Sequence, residues 1–120
     1  MALSVVQKKS LNEPDEVAHY DLISKENVVL DGVEVHRVTF APGAKWSHDL
    51  KPHAGTESCE LPHVAYVAAG KLEVVMDDGS RAVFAAGDVM MLPPGHDAWC
   101  VGDEPCVFIE FSAGTCYYSE

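Results

Sequence analysis

The sequence has few basic residues and no long hydrophobic run. Eight lysine and arginine residues stand against 19 aspartate and glutamate residues, which gives a formal net charge of -11. A field of that sign repels polyphosphates, so we expect no nucleic acid partner. No apolar stretch approaches the roughly 20 residues that a membrane-spanning helix needs, so we expect no membrane partner either. Residues 1–11 place their apolar start before their lysines, the reverse of a secretory signal, which predicts a cytoplasmic protein.

The sequence also has no convincing run of ten residues with helical spacing. Short apolar segments instead alternate with turn residues at intervals of about 8–12 residues, a pattern typical of an all-β sandwich or barrel. Two turns stand out as hairpins, Asp31-Gly32 and the segment 77–80. With 120 residues and a hydrophobic fraction of 48%, the chain fits one domain with a packed core. The segment 1–16 has no clear periodicity and is expected to form an arm or an irregular edge strand.

Disulfide bonds are not expected in this chain. It contains four cysteines, and without a secretory signal these are predicted to be free thiols or metal ligands. Pairing of Cys100 with Cys106 across a hairpin is the less favoured alternative.

Candidate ligands are concentrated in one stretch, from Glu57 to Gly70. Glu57, Cys59 and His63 are separated by even steps, and in an extended chain even steps place side chains on one face. An apolar segment with strand character follows them and ends at Gly70. Two alternatives stay open at this point, namely that the spacing arises by chance and that the face points to solvent. The preceding segment 44–56 has no repeat and is predicted to be a long loop.

Two glycine-punctuated segments resemble the sequence motifs of the cupins, which are small double-sheet jelly rolls. The first runs from Pro42-Gly43 to Gly70, and the second from Gly87 to His96. The second is the more specific, because Gly87, Pro93 and Gly95 reproduce its spacing in full. The resemblance covers roughly 33–111 and implies a jelly-roll barrel core there, within a single cupin domain over 1–120.

The resemblance also implies a metal site, although the residue types are permuted. Cupins typically hold a divalent metal with two histidines, a glutamate and a histidine from the second motif. Counted back from Gly70, the glutamate position holds His63, and the histidine-pair positions hold Glu57 and Cys59. The second-motif histidine should stand at Ala98, but the histidine is two residues earlier, on the same face of a strand. The ligands implied are Cys59, His63 and His96, with Glu57 as a fourth ligand or a general base.

Alternatives to this ligand set follow from the length of the first motif. The segment between Gly43 and Gly70 is several residues longer than usual. If the extra length lies after His48, then His48 or His53 would reach the site in place of Glu57. The alternative to metal binding by His63 and His96 is that both are core histidines that form hydrogen bonds with the backbone.

A thiolate, imidazoles and a carboxylate suit zinc or ferrous iron. The predicted function is therefore that of a metal-dependent cupin acting on a small organic molecule as an oxygenase- or isomerase-type enzyme. The alternatives are a small-ligand-binding or sensor cupin without tightly bound metal, and a structural dimer without a ligand. The resemblance further implies a homodimer, and Tyr66 is expected to pack outward, where a dimer contact could form.

Overall fold

The computed structural model describes residues 6–49, 63–93 and 95–112, with the backbone alone at positions 63 and 112. Within those residues the chain forms strands and one short helix. The elements are β1 (Glu16–Tyr20), β2 (Ile23–Leu30), β3 (Val33–Phe40), α1 (Trp46–Asp49), β4 (His63–Ala69), β5 (Lys71–Met76), β6 (Arg81–Ala85), β7 (Val89–Leu92), β8 (His96–Cys100) and β9 (Cys106–Ser112). No helix in these segments is long and apolar enough to cross a membrane.

The strands form two antiparallel sheets. The larger sheet has the order β1-β2-β3-β9-β4-β7, and the smaller has the order β6-β5-β8. Strand β9, which is late in the chain, lies between β3 and β4, as expected of a jelly roll in which distant strands become neighbours. The predicted all-β double-sheet architecture is confirmed. The larger sheet also extends before the predicted barrel core at residue 33, because β1 and β2 belong to it.

The core lies between the two sheets, and strict alternation of side chains builds it. In β8, residues 96, 98 and 100 are buried while the two residues between them are half-buried. Inward side chains of both sheets meet in one cluster together with Ala44 and Trp46. Phe40 and Phe108 pack as neighbours in that cluster, with ring centroids 6.0 Å apart. The smaller sheet covers only part of the larger one, because it has three strands against six.

The predicted long loop over 44–56 is wrong at its beginning, where the structure has α1. The segment lacks helical periodicity, but two carboxylates bind its backbone N–H groups. The Lys45 N–H donates to Asp49 Oδ2 at 2.8 Å, and the Ser47 N–H donates to Asp97 Oδ1 at 3.0 Å. Because Asp97 belongs to β8, tertiary contacts hold this single turn in place. The rest of the predicted loop, from residue 50, lies outside the described residues.

Part of the larger sheet's outer face is covered by the segment 6–15. Arg37 of β3 points outward, and its guanidinium donates to the Leu11 carbonyl at 3.0 Å. The Asp15 N–H donates to the Asn27 carbonyl at 2.7 Å. Val28, which also faces outward, is only 4% exposed. The outer face of β2 and β3 is therefore covered by the chain itself.

Candidate functional site

His96 lies inside the barrel at the first position of β8. It is 3% exposed, and its Nδ1 atom lies 2.8 Å from the carbonyl oxygen of Pro93. A carbonyl oxygen only accepts, so Nδ1 carries the proton, and in the neutral ring Nε2 then carries the lone pair. Histidines that bind metals usually donate their other ring N–H to such a carbonyl, which fixes the ring and its tautomer. His96 therefore faces inward, as expected both of a metal ligand and of a core histidine that bonds to the backbone, and its role as a ligand stays a prediction.

The backbone of His63 lies at the same end of the barrel. His63 begins β4 and pairs with Leu92, the last residue of β7. Leu92 precedes Pro93, whose carbonyl oxygen accepts from the ring of His96. Each histidine therefore stands at the start of its strand, one in each sheet, on either side of the short connection from β7 to β8. The structure describes only the backbone of His63.

The other predicted ligands are not placed by the structure. Glu57, Cys59 and His53 lie outside the described residues. His48 lies on α1 with a side chain that is 83% exposed, and its Nδ1 is 3.4 Å from Asp49 Oδ1. Among the side chains that the structure describes, no group of three or more histidines, cysteines, aspartates or glutamates could hold a metal ion. The complete ligand set stays a prediction.

Two inward-facing polar residues were not recognised from the sequence as parts of a site. His36 of β3 pairs with Glu110 of β9, and Glu110 in turn pairs with Ala65 of β4. Glu110 is 8% exposed, which makes it a buried carboxylate. His36 has 18% of its side chain exposed, and its Nε2 lies 3.1 Å from an oxygen of Glu34.

These residues belong to one row across the inner face of the larger sheet. The cross-strand register joins Glu16, Asn27, His36, Glu110, Ala65 and Met90. The row begins with polar residues at β1 and becomes apolar at β4 and β7. His63 stands two residues before Ala65, so it is a diagonal neighbour of Glu110, at a Cα distance of about 7–8 Å. The row therefore leads from the edge of the sheet to the candidate site.

The sequence contains a signal for Glu110 and a weaker one for His36. In β9 the even positions 106, 108 and 110 are a cysteine, a phenylalanine and a glutamate, so Glu110 is the one charged residue on an apolar face. His36 shares its face with Val38 and Phe40 in β3. That strand mixes polar and apolar residues on both faces, and its periodicity alone left the inner face undecided. The cross-strand pairing with β9 decides it.

The two cysteines in the described part of the chain are not nucleophiles. Cys100 and Cys106 are free and buried, which agrees with the prediction of free thiols. Burial and, to a lesser extent, the neighbouring Cys100 together raise the pKa of the Cys106 thiol from its usual 9.0 to about 12. Burial also raises the pKa of Cys100. Both thiols are therefore protonated at neutral pH and serve as core residues.

A family model described as a cupin domain matches residues 36–112. The match covers more than half of the chain and includes both histidines of the candidate site. The protein belongs to the cupin-domain family. The predicted resemblance is confirmed. Comparison with curated proteins found no match.

Solved structures similar to this cupin include a cupin 2 conserved barrel domain protein from Salinispora arenicola. It is 19% identical with a TM-score of 0.63, and the match covers 90% of this chain and 88% of that one. KdgF from Halomonas sp. is 22% identical with a TM-score of 0.58, and the match covers 82% and 86% of the two chains. An oxalate decarboxylase from Lactobacillus farciminis is 19% identical with a TM-score of 0.61, and the match covers 85% of this chain and 32% of that one. At these identities the likeness concerns the fold.

Proposed function

We propose that this cupin binds a divalent metal ion at the barrel end where β4 and β8 begin and acts there on a small organic molecule. The proposed ligands are His63, His96 and Cys59, with Glu57 as a fourth ligand or a general base. Zinc or ferrous iron suits these donors, because sulfur and imidazole ligands disfavour magnesium and calcium. The proposed chemistry is of the oxygenase or isomerase type.

The observation that carries this proposal is the position of His96. A buried imidazole whose Nδ1 proton is held by the Pro93 carbonyl has the tautomer that metal binding through Nε2 requires. The backbone of His63 stands across the β7–β8 connection from it. A metal bound between them would act as a Lewis acid on an oxygen of the substrate.

Glu110 supplies a further carboxylate near this end of the barrel. It is buried and lies one diagonal step from His63 on the inner face. A buried carboxylate beside a metal site can accept a proton from a substrate or hydrogen-bond a ligand. We assign it a supporting role, either as a base or as a residue that orients His63.

The test is metal analysis of protein produced without a histidine tag in iron-supplemented anaerobic cells. We expect about one metal ion per chain in the parent and at most a tenth of that in His63→Ala and His96→Ala, since loss of a ligand removes most of the affinity. His19→Ala is the control, because His19 lies exposed on β1 at the far edge of the sheet. Circular dichroism of each variant verifies that the barrel is folded.

The outcomes separate the candidate functions. Stoichiometric metal that persists in His63→Ala would remove the ligand assignment. A parent protein without metal would contradict the metal-dependent function and favour the small-ligand-binding or sensor cupin. Equal metal loss in His19→Ala would point to general instability instead of ligand loss.

We also propose that the cupin is a homodimer that packs through an apolar part of the larger sheet's outer face. The outward residues of β4, β7 and β9 carry no charge, and the segment 6–15 covers β2 and β3 instead. This apolar outer face consists of Val64, Tyr66, Val89, Met91, Ile109 and Phe111. Val89 is 68% exposed and Met91 61%, and β7 is an edge strand. A sheet that is apolar on both faces requires cover on both, and a second copy provides it by two-fold symmetry.

A further inference from the structure

A small pocket opens on the inner face of β1, β2 and β3, where the larger sheet extends beyond the predicted barrel core. Its volume is about 150 Å³, and its lining includes Glu16, Ala18, Tyr20, Lys25, Asn27 and His36. His96, whose side chain the structure describes, does not line it. We propose that this pocket binds a small zwitterionic amino acid, with the carboxylate at Lys25 and the ammonium group at Glu16 and Asn27.

The first observation is a buried hydrogen-bond acceptor that receives no donor from the part of the chain that the structure describes. Asn27 is 6% exposed, and its Nδ2 donates to Glu16 Oε1 at 3.3 Å. That bond fixes the amide orientation, because the opposite orientation would place two oxygens against each other. The Oδ1 atom of Asn27 is then buried, and no donor among the described residues reaches it. Such groups are rare because leaving one unsatisfied costs about 1–3 kcal/mol, so a ligand that brings an N–H or O–H group is favoured.

The second observation is a pair of opposite charges that flank the pocket without pairing with each other. Lys25 is half-buried, and within the described residues it forms no ion pair. Glu16 makes its contact with the amide of Asn27. Glu26, which also borders the pocket, is already neutralised by Arg37 at 2.6 Å. One cation and one carboxylate are thus left facing the same small volume.

The spacing and the net charge indicate the ligand class. Lys25 and Asn27 are two residues apart on one face of β2, which separates their Cα atoms by about 6.6–6.8 Å. Glu16 lies directly across from Asn27, and the small Ala18 across from Lys25 leaves room between them. A ligand with a negative and a positive end matches this arrangement. A net anion is disfavoured by the -11 charge of the chain, whereas a zwitterion is neutral overall.

The pocket and the candidate metal site are separate positions on one row. His36 borders the pocket and pairs with Glu110, which leads to His63. The proposal does not depend on metal at the far end of that row. Amino acid binding is therefore measured both in protein as purified and in protein treated with a chelator. If the metal proposal fails, the proposal of an amino acid pocket still stands.

The test is a titration followed by ¹⁵N-resolved NMR of the backbone and of the Asn27 side-chain amide. The zwitterions are glycine, β-alanine and 4-aminobutyrate, and the comparison compounds are glycolate, ethanolamine and glycerol. We expect at least one zwitterion to bind with a millimolar dissociation constant and to shift the Asn27 side-chain signal. The comparison compounds, each lacking one or both charges, should bind about tenfold more weakly or not at all.

Two variants and a control assign the site. Lys25→Gln removes the cation while it keeps most of the side chain, and Ala18→Leu fills the space between Lys25 and Glu16. Both should weaken the binding by about tenfold or more. Lys71→Gln makes the same charge change on an exposed residue of β5 in the other sheet and should leave binding unchanged.

Four results would overturn the proposal. One is that no zwitterion binds at concentrations up to about 20 mM, a range that reaches millimolar dissociation constants. The second is that glycolate or glycerol binds as tightly as the best zwitterion, which would make the ligand a hydroxy acid or a polyol. The third is that folded Lys25→Gln binds as the parent does. The fourth is that the shifts fall elsewhere than at β1–β3.

Discussion

Gly70 occupies a backbone position that a larger residue fills only with strain. It directly follows β4, the strand that begins at His63, and has a φ of +74°. A Cβ atom there would overlap the carbonyl oxygen of Pro105 and lie 2.8 Å from the Cα atom of Cys106. Both obstacles are backbone, which cannot rotate away as a side chain can. The glycine therefore allows the turn into β5 to pass close to the start of β9.

We predict that Gly70→Ala lowers the free energy of unfolding by about 3 kcal/mol, the sum of a left-handed conformation and a steric overlap. Gly79→Ala is the matched control, because Gly79 has a φ of +92° and no described atom lies within 4 Å of the position that a Cβ atom would take. The free energy of unfolding should fall by only about 1–2 kcal/mol in this control. Urea denaturation measures both. Equal losses in the two variants would show that the overlap with residues 105 and 106 is relieved at no cost.

The helix α1 depends on a strand that is distant in sequence. Asp97 of β8 accepts from the Ser47 N–H, and the Cys100 N–H donates to the Ala44 carbonyl at 3.0 Å. The Lys45 ammonium lies 5.1 Å from the centre of the Trp99 ring. These contacts fasten the beginning of the helix to the edge of the smaller sheet. Trp46 then packs into the core at 4% exposure.

We predict that Asp97→Ala destabilises the metal-free protein by about 1–2 kcal/mol, because the first turn of α1 loses a capping acceptor. Asp97→Asn keeps the Oδ1 atom, so its loss of unfolding free energy should be less than half of that in Asp97→Ala. Thermal or urea unfolding in the presence of a chelator separates this effect from any change at His96. A similar loss in both variants would mean that the charge of Asp97 matters more than its acceptor.

At the scale of the whole molecule, the apolar outer face gives a prediction about assembly. We expect the parent to be a dimer by sedimentation equilibrium, and Val89→Lys combined with Met91→Lys to weaken association by about 100-fold or more, since buried unpaired charges are costly. Val83→Lys is the control, because Val83 is 53% exposed on β6 in the other sheet. A monomeric parent, or equal weakening by Val83→Lys, would contradict the proposed interface.

The fold was largely predictable from local patterns. Aspartate and glycine residues mark the hairpin turns at Asp31-Gly32 and at 77–80, and both hairpins form as predicted, between β2 and β3 and between β5 and β6. The second motif from Gly87 to Gly95 indicates the family and the inward position of His96. The helix α1 was not predictable, because the carboxylate that caps it comes from a strand 50 residues later.

The sequence alone determined the strand periodicity, the turns and the motif spacing, because each depends on residues close together in the chain. Only the tertiary structure decided which face of β3 points inward, since that depends on pairing with β9. That pairing places Asn27, His36 and Glu110 in one row and leaves the outer face of β4, β7 and β9 exposed. Long-range register is set by the packing of both sheets together, and no local pattern in either strand contains it.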